Sequence, residues 1–433
     1  MPSPEPFFKH INTQIVEWRR TFHRQPELGF MEYLTTFKIG KELESLGFSL
    51  HIGEDALMST SRYGVPSQDE LSKYERNISS SIPEEWMNKM RGGHTGLAAV
   101  WDTGQEGDHL AFRFDIDALP IEESESPAHY PYQQDFHSIN KEVMHACGHD
   151  GHTAIGLGLA QYIANHSSEL NGTFTFLFQP AEEGGRGAKA MVDKGWLKDV
   201  DYFYSGHIGI NELKVGTVAA STKGFLASSK WNVSFKGKSS HAGMKPEDGR
   251  NALLAAASAS THLYSIPRHS EGVSRINVGK LTAGNGRNII SNQGYLEMET
   301  RGETKAINDY MQTEAKRIIQ ASASMYNVDV SIDFVGETEP MQCDQSLISV
   351  IKKACKSSRT IQQIIDAAHV SGSEDASFMM NAVQSHGGKA TYMLFGTSLT
   401  DNHHSPSFDF EEGALLVALD TYIHIVKGGN SIE

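Results

Sequence analysis

The sequence contains few cysteines, no long apolar run and no excess of positive charge. Three cysteines in 433 residues are too few for a disulfide framework, which favours a reducing compartment. The longest apolar segment, residues 251–259, is well short of the roughly 20 residues that a membrane span requires. Residues 1–6 have neither the basic head nor the apolar run of a secretory signal. We therefore expect a cytoplasmic protein that does not bind a membrane.

Charge and composition narrow the class of partner. The formal net charge of −15 argues against nucleic acid and anionic membranes, because both repel an acidic protein. The net charge does not exclude a small-molecule substrate, because such a substrate responds to the local electrostatic field of a cleft. A hydrophobic content of 39% and a charged content of 21% are ordinary for a globular protein. A chain of 433 residues exceeds one compact core, so we expect two or three domains.

Helix and strand patterns alternate in the first half of the chain. Residues 7–46 predict a helix, and the strand pattern of Asp108–Pro120 precedes a second helix that opens at Asp150, a good N-cap residue. Two further strand patterns follow at Thr173–Phe178 and Tyr202–Tyr204. This alternation predicts an α/β fold with a mainly parallel sheet flanked by helices.

The middle of the chain has a different pattern. Residues 224–335 alternate as strand, helix, strand, helix and strand, which predicts a smaller α+β domain inserted into the larger one. Residues 1–223 and 336–433 would then form one discontinuous catalytic domain. Within it, residues 57–95 form a polar excursion with a predicted helix near Pro83–Trp86.

Acidic and histidine side chains follow the predicted strands. Asp115 and Asp117 lie at the end of the first strand, Glu182 and Glu183 follow the second, and His207 follows the third. Ligands gather at the carboxyl ends of strands in parallel sheets, so these side chains are expected to share one site. One carboxylate of an adjacent pair can bind metal while the other takes a proton from water.

Cys147 and His149 lie two residues apart, which lets both side chains reach one centre from a tight loop. A thiolate and an imidazole together suit zinc or a similar transition metal. The pair alone is weak evidence, because a loop with a buried thiol has the same spacing. Far along the chain, His403 and His404 are further candidates, and spacing does not choose between them.

The inserted domain contributes a second group of polar candidates. His241 lies in the predicted lid loop Ser240–Pro246. Guanidinium groups bind carboxylates bidentately, so three further residues are candidates for a substrate carboxylate: Arg287, Asn288 and Arg301.

These motifs resemble the dinuclear metal peptidase family that includes hippurate hydrolases, aminoacylases, auxin-conjugate amidohydrolases and carboxypeptidase G. The matching segments follow the family's order and cover nearly the whole chain: Phe112–Pro120, Met144–His152, Phe178–Glu183, Ser371–Asp375 and His404–Asp409. The resemblance is closest to the aminobenzoyl-glutamate utilisation subgroup, through three features: Trp18–His23, residues 57–95 and Ala242–Gly249.

The resemblance implies two divalent metal ions, Zn²⁺ or Mn²⁺. It implies five ligands, with His404 preferred over His403 because it directly precedes Ser-Pro: Cys147, His149, Glu183, His207 and His404. Glu182 would be the general base, and Asp117 would orient a metal ligand. Whether Cys147 bridges the ions, or Asp115 is an additional ligand, stays open.

The resemblance also implies a homodimer formed through the inserted domain, with His241 completing the partner's site and stabilising the oxyanion. The expected reaction is metal-dependent hydrolysis of p-aminobenzoyl-glutamate to p-aminobenzoate and glutamate. One alternative is another N-acyl amino acid, such as hippurate or an N-acetyl amino acid. A second is a chain that is active only with a homologous partner chain. A redox-sensing role for Cys147 is disfavoured, because metal protects a bound thiolate from oxidation.

Overall fold

The computed structural model describes residues 5–210 and 213–428. Its α-helices are α1 (Glu5–Arg24), α2 (Tyr33–Leu46), α3 (Gln68–Ile78), α4 (Glu84–Met90), α5 (Tyr130–Gln133), α6 (His149–Asn165), α7 (Ala188–Lys194), α8 (Ala252–Leu263), α9 (Lys305–Met325), α10 (Gln345–Ala354), α11 (Ala376–Ser385) and α12 (Gly413–Gly428). Residues 1–4, on which the expectation of no secretory signal partly rests, lie outside the described residues. None of the described helices is long and apolar enough to cross a membrane.

The strands form one large sheet, one smaller sheet and two short two-stranded ladders. They are β1 (Ser49–Ile52), β2 (Leu97–Asp102), β3 (His109–Asp115), β4 (Thr173–Gln179), β5 (Tyr202–Ile208), β6 (Thr217–Ala219), β7 (Thr222–Lys223), β8 (Ala227–Lys236), β9 (Ser240–His241), β10 (Ser274–Ala283), β11 (Ile289–Ile290), β12 (Gln293–Gly302), β13 (Asp329–Thr338), β14 (Gln363–Ile365), β15 (Ala368–His369) and β16 (Lys389–Phe395).

The large sheet has the strand order β1-β2-β4-β3-β5-β16-β6-β14. Its central strands β4, β3, β5 and β16 are parallel, with Asp115 paired to Gln179 and Phe395 paired to Ile208. Among the described residues, the antiparallel pairs of this sheet lie towards its two sides, as β1–β2, β2–β4 and β16–β6. The predicted mainly parallel α/β sheet is therefore confirmed at its centre. The carboxyl ends of four strands meet at one edge.

Helix α6 packs directly on the parallel strands. Gly156 makes the close approach possible, because an added Cβ there would lie 2.7 Å from the Phe114 ring and 2.8 Å from the Phe178 ring. Burying each aromatic ring in this layer stabilises the fold by roughly 1.5–3 kcal/mol. Helices α1 and α12 lie against α6, so the start of α6 is held in a rigid frame.

The smaller sheet has the order β10-β12-β8-β13, and all its pairs are antiparallel. Helices α8 and α9 pack on one face, where Trp231, Val233 and Leu296 belong to a separate hydrophobic cluster. Strand β10 is an addition to the predicted strand–helix–strand–helix–strand order. Its partly exposed, polar-rich sequence at the sheet edge lacks the burial pattern of a core strand. The domain boundaries at 223/224 and 335/336 stay a prediction.

Four predictions about local structure are wrong. The strand predicted over Asp108–Pro120 ends at Asp115, because the chain then leaves the sheet and Ala118 and Leu119 form isolated bridges with Leu28 and Met144. The helix predicted over residues 7–46 is two helices, because Pro26 cannot donate a backbone hydrogen bond and Phe30 has a positive φ of 64°. Asp150 is not the N-cap of α6: Gly148 caps the helix, and the Asp150 carboxylate instead accepts from Arg19. The strand predicted at Tyr202–Tyr204 continues to Ile208, so His207 lies within it.

The excursion of residues 57–95 contains two helices. The helix predicted near Pro83–Trp86 is confirmed as α4. Helix α3 was not predicted, although its capping box is visible in the sequence: the Ser67 side chain accepts from the Glu70 backbone, and Glu70 accepts from the Ser67 backbone. Next to these helices, Tyr63 contacts the Phe334 ring of β13, and its backbone N–H donates to the Arg186 carbonyl.

Candidate metal centre

The structure brings the five predicted metal ligands together at the carboxyl edge of the parallel strands. Ligand atoms of Cys147, His149 and His207 lie within 4.8 Å of one another, and so do those of Cys147, Glu183 and His404. The Cys147 Sγ lies 3.4 Å from His207 Nε2, and His404 Nε2 lies 3.3 Å from Glu183 Oε1. Cys147 is the member that these two groups share.

Each ligand reaches this point from a different segment. His207 is near the end of β5, and Glu183 follows β4. Gly148 has φ 92°, a conformation that glycine adopts without strain, and it turns the chain from Cys147 into α6. His404 comes from the loop between β16 and α12, where it has φ 64° and donates its backbone N–H to Ala146. Such strained backbone in a non-glycine residue often marks a functional site.

Asp117 fixes two of these ligands. The His149 Nδ1 lies 2.9 Å from the Asp117 carbonyl oxygen and 3.2 Å from Oδ1, so the ring donates at that side. The other carboxylate oxygen of Asp117 accepts the Glu183 backbone N–H at 2.9 Å. His149 is therefore held with Nε2 as the nitrogen that faces the other ligands.

The donor atoms that face this point fit a metal ion. Among the described residues, the buried atom His149 Nε2 has no hydrogen-bond partner. Leaving such an atom unsatisfied costs about 1–3 kcal/mol, and a cation bound to it would remove that cost. Against the opposing effect of burial, the Asp115 and Asp117 carboxylates raise the pKa of His149 well above its usual range, so the field here favours positive charge. A set of thiolate, imidazole and carboxylate donors suits a transition metal.

Asp115 and His152 support the ligands from behind. The two carboxylate oxygens of Asp115 contact Arg113 Nη1 at 2.7 Å and His152 Nδ1 at 2.6 Å. The other ring nitrogen of His152 accepts the Ile208 backbone N–H at 3.0 Å. The polar side-chain atoms of Asp115 and His152 therefore all have hydrogen-bond partners.

Glu182 lies at the inner wall of the site, with Oε2 3.9 Å from His149 Nε2. Its carboxylate also lies close to Glu374 and Asp375, neither of which was predicted from the sequence as a site residue. Burial, and then the negative charge of Glu374, raises the pKa of Glu182 well above its usual range. The side chain is thus adapted to hold a proton.

Arg113 compensates the charge of this acidic cluster. Its buried guanidinium contacts Glu374 at 3.0 Å, Asp375 at 3.1 Å and the Gln179 side-chain oxygen at 2.7 Å. Tyr392 donates its hydroxyl to Glu374 at 2.6 Å. The sequence signals were present but unused: Arg113 lies within a buried strand, and Ser371–Asp375 is one of the family segments.

His403 and His404 have different surroundings. The His403 Nε2 lies 3.3 Å from the Ile208 carbonyl oxygen, and its ring packs against Phe408. Burial lowers the pKa of His403 to about 4. His404, by contrast, is half exposed and directs its ring to Glu183 and Cys147.

Four of the five predicted ligands, Cys147, Glu183, His207 and His404, line a cleft of about 510 Å³, a volume typical of small-molecule sites. Of the predicted lid residues, Arg301 lines this cleft. His241, Arg287 and Asn288 are not among the described residues that line the cleft. His241 is instead exposed on β9, where its Nδ1 accepts two backbone N–H groups of the same loop. Within one chain, the lid residues other than Arg301 lie away from the ligands.

Comparisons with known proteins show the family to which the chain belongs. Residues 111–428 match the family model described as peptidase family M20/M25/M40. The chain is 42% identical over 423 residues to the indole-3-acetyl-aspartic acid hydrolase of Enterobacter agglomerans, covering 97% of each protein. It is also 42% identical over 423 residues to a protein of Escherichia coli K12 that is named as one of the subunits of p-aminobenzoyl-glutamate hydrolase, again covering 97% of each.

Comparisons with solved structures find similar proteins. An aminobenzoyl-glutamate utilization protein from Klebsiella pneumoniae matches with a TM-score of 0.84 and 37% identity, covering 98% of both chains. A Bacillus subtilis protein described as a dinuclear metal binding peptidase from the M20 family matches with a TM-score of 0.64 and 25% identity, covering 97% of this chain and 98% of that one. The chain therefore belongs to peptidase family M20/M25/M40, and it is a metal-dependent amidohydrolase.

Proposed function

We propose that this amidohydrolase cleaves p-aminobenzoyl-glutamate to p-aminobenzoate and glutamate. The observation that carries the proposal is the position of Glu182, which lies beside the unpartnered His149 Nε2 in a cleft that also contains Arg301. A base, a metal-ligand set and a cationic side chain in one cleft suit an amide whose product is a dicarboxylic amino acid. A relative of 42% identity has this substrate in its name.

Two divalent ions, Zn²⁺ or Mn²⁺, would be held by the five ligands Cys147, His149, Glu183, His207 and His404. When bound, such ions polarise a carbonyl and lower the pKa of water towards about 7. Cys147 belongs to both ligand groups, while both oxygens of Asp115 are engaged elsewhere. These contacts support Cys147 as a residue that would hold metal, with Asp115 acting through its contacts with Arg113 and His152.

Glu182 would carry the proton through the reaction. It takes a proton from water as the oxygen of that water bonds to the amide carbon. It then delivers the proton to the amide nitrogen as the C–N bond breaks, releasing the amine. A raised pKa supports the second step, because the carboxyl group must hold the proton before transferring it. Asp117 keeps His149 and the Glu183 backbone in place throughout.

A second candidate substrate is indole-3-acetyl-aspartate. It is favoured by a relative with the same 42% identity and the same coverage, named for that activity. Both candidates are N-acyl conjugates of acidic amino acids, and they differ in the acyl group. Hydrolysis of another N-acyl amino acid, and activity only with a homologous partner chain, are the remaining alternatives.

The enzyme would act as a homodimer through the inserted domain. Several large apolar side chains of this domain are exposed: Met244, Leu254, Tyr264, Leu281 and Ile289. Strand β10 is an edge strand of its sheet, a position that favours pairing with a second copy. The partner's lid residues would then complete the site, with His241 on the oxyanion and Arg287 and Asn288 beside Arg301 on the substrate carboxylates. The three unpaired cysteines support a cytoplasmic location.

The test is a substrate panel with purified protein alone. The protein is stripped with a chelator, restored with Zn²⁺ or Mn²⁺, and assayed on p-aminobenzoyl-glutamate, indole-3-acetyl-aspartate, hippurate and N-acetyl amino acids. We expect the highest kcat/KM on p-aminobenzoyl-glutamate, no turnover after chelation, and recovery with metal. Faster cleavage of indole-3-acetyl-aspartate would favour the second candidate. Activity that requires a homologous second chain would favour the obligate-partner alternative.

A further inference from the structure

The wall of the cleft formed by the inserted domain carries a row of charged side chains. In the pairing of β8 with β12, Lys230 lies opposite Glu299, and Arg301 lies one alternate position further on the same face. The adjacent residues Trp231 and Thr300 point to the opposite face of the sheet and are buried. The charged row therefore lies on the face away from helices α8 and α9. Lys230 and Arg301 line the same cleft as Glu182 and the metal-ligand set. No sequence motif pointed to Lys230.

Glu299 holds Arg301 but leaves part of its guanidinium free. The Arg301 Nε and Nη2 atoms donate to the two Glu299 carboxylate oxygens at 2.9 and 3.2 Å. Among the described residues, no acceptor hydrogen-bonds to Arg301 Nη1 or to Lys230 Nζ. Two cations and one anion leave this row with a net positive charge that faces the cleft.

Lys230 is also half-buried. Burial lowers the pKa of Lys230, although Glu299 and Glu182 oppose that effect. An ammonium group in such a position gains from an anionic partner, because a charge-assisted hydrogen bond replaces the lost contact with water.

We propose that Lys230 Nζ and Arg301 Nη1 together bind the side-chain carboxylate of an acidic amino acid in the substrate, and so select glutamate or aspartate conjugates over neutral ones. The inference rests on the proposed function and adds the residue that recognises the side chain of the leaving amino acid. The α-carboxylate, common to all N-acyl amino acids, is bonded to the carbon next to the scissile nitrogen. It must therefore stay close to the metal ligands. The side-chain carboxylate extends further and can reach the opposite wall.

The test compares isosteric charged and neutral substrates. Wild-type enzyme, Lys230→Met and Lys230→Arg are assayed on p-aminobenzoyl-glutamate and p-aminobenzoyl-glutamine, and the Asp/Asn pair is assayed in parallel. We expect Lys230→Met to lower kcat/KM on the glutamate substrate by about 10- to 100-fold, the range of one charge-assisted hydrogen bond. On the glutamine substrate kcat/KM stays within about threefold, since no such bond is lost there. Lys230→Arg retains the charge, so it should preserve most of the preference.

Lys236→Met is the matched control. Lys236 is exposed at the far end of the same strand, six residues and roughly 20 Å from Lys230. It should leave both rates unchanged. If Lys230→Met lowers the glutamate and glutamine rates equally, the residue binds the α-carboxylate or acts structurally, and the proposal is overturned.

If the proposed substrate is wrong, the role of Lys230 can still be tested separately. If another acyl group is cleaved instead of p-aminobenzoyl, the Glu/Gln comparison is made on that acyl group and still decides the role of Lys230. If the chain alone cleaves none of these compounds, calorimetry with free glutamate and glutamine on the metal-loaded protein decides it. Glutamate binding that weakens about tenfold in Lys230→Met supports the proposal. Equal binding to both proteins overturns it.

Discussion

The metal centre and the inserted-domain surface hold their polar residues in opposite ways. At the centre, each group is fixed by a neighbour: Asp117 orients His149, and Arg113 compensates Glu374 and Asp375. On the inserted domain, His241 is exposed: its backbone pairs with Ile289, and its ring accepts backbone N–H groups of its own loop. The difference indicates that the proton chemistry is built within one chain. Of the predicted lid residues, Arg301 lines the cleft within that chain, whereas His241 does not line it.

The physical origin of the difference is the sheet that supports each region. Parallel strands buried on both faces end together, so side chains at their carboxyl ends are brought to one place by the backbone alone. The antiparallel sheet of the inserted domain has one face without helices, and its short β9–β11 ladder lies outside that sheet. On that face Lys230 and Arg301 line the cleft of the same chain, whereas the residues of the separate ladder, such as His241, do not line it.

The largest expected effect is at the metal centre. Glu182→Gln should lower kcat by about 10³-fold or more, because the amide side chain cannot accept the proton from water. Metal content, measured by elemental analysis, should stay at the wild-type level, since Glu182 is not one of the five proposed ligands. Glu54→Gln is the matched control, because Glu54 is largely exposed and remote from the cleft. Full activity in Glu182→Gln would reject Glu182 as the base.

The next effect tests whether the lid acts across chains. His241→Ala should lower kcat by about 10²-fold, the effect of removing one oxyanion donor. If His241 serves the partner's site, a 1:1 mixture of His241→Ala and Glu182→Gln chains should recover about a quarter of wild-type activity, since half of the dimers then hold one intact site. The mixture is measured after exchange of subunits. Recovery no greater than the sum of the separate variants would contradict action in the partner's site.

A smaller effect separates metal binding from proton transfer. Asp117→Asn should weaken metal affinity by about 10- to 100-fold, because the carboxamide cannot accept both the His149 ring N–H and the Glu183 backbone N–H. Titration with Zn²⁺ after chelation measures the loss, and excess metal should restore much of the activity. Asp55→Asn, at an exposed position, is the control. Activity that excess metal does not restore would indicate a direct role in the reaction.

Much of the fold was predictable because it depends on local pattern. The strand patterns around Phe112 and Phe176 and the helix after His149 have clear periodicity, and the structure contains all three elements. Prediction failed where a long-range partner decides the conformation. The Asp150 carboxylate serves the buried Arg19 side chain instead of capping α6, and no local pattern reveals that pairing. Strand β10 is held by its pairing with β12, and its own sequence is too polar to indicate it.

For the site, the order of motifs predicted which residue types meet, and the structure brings Cys147, Glu183 and His404 to one point. The sequence by itself determined the chemistry of the centre, because thiolate, imidazole and carboxylate groups follow strands whose ends must coincide. Only the tertiary structure decided how charge is balanced there, through Arg113 and the acidic pair Glu374–Asp375. It also decided which lid residues reach the cleft from the same chain. Both depend on contacts between segments far apart in the sequence, and those distances are set by packing.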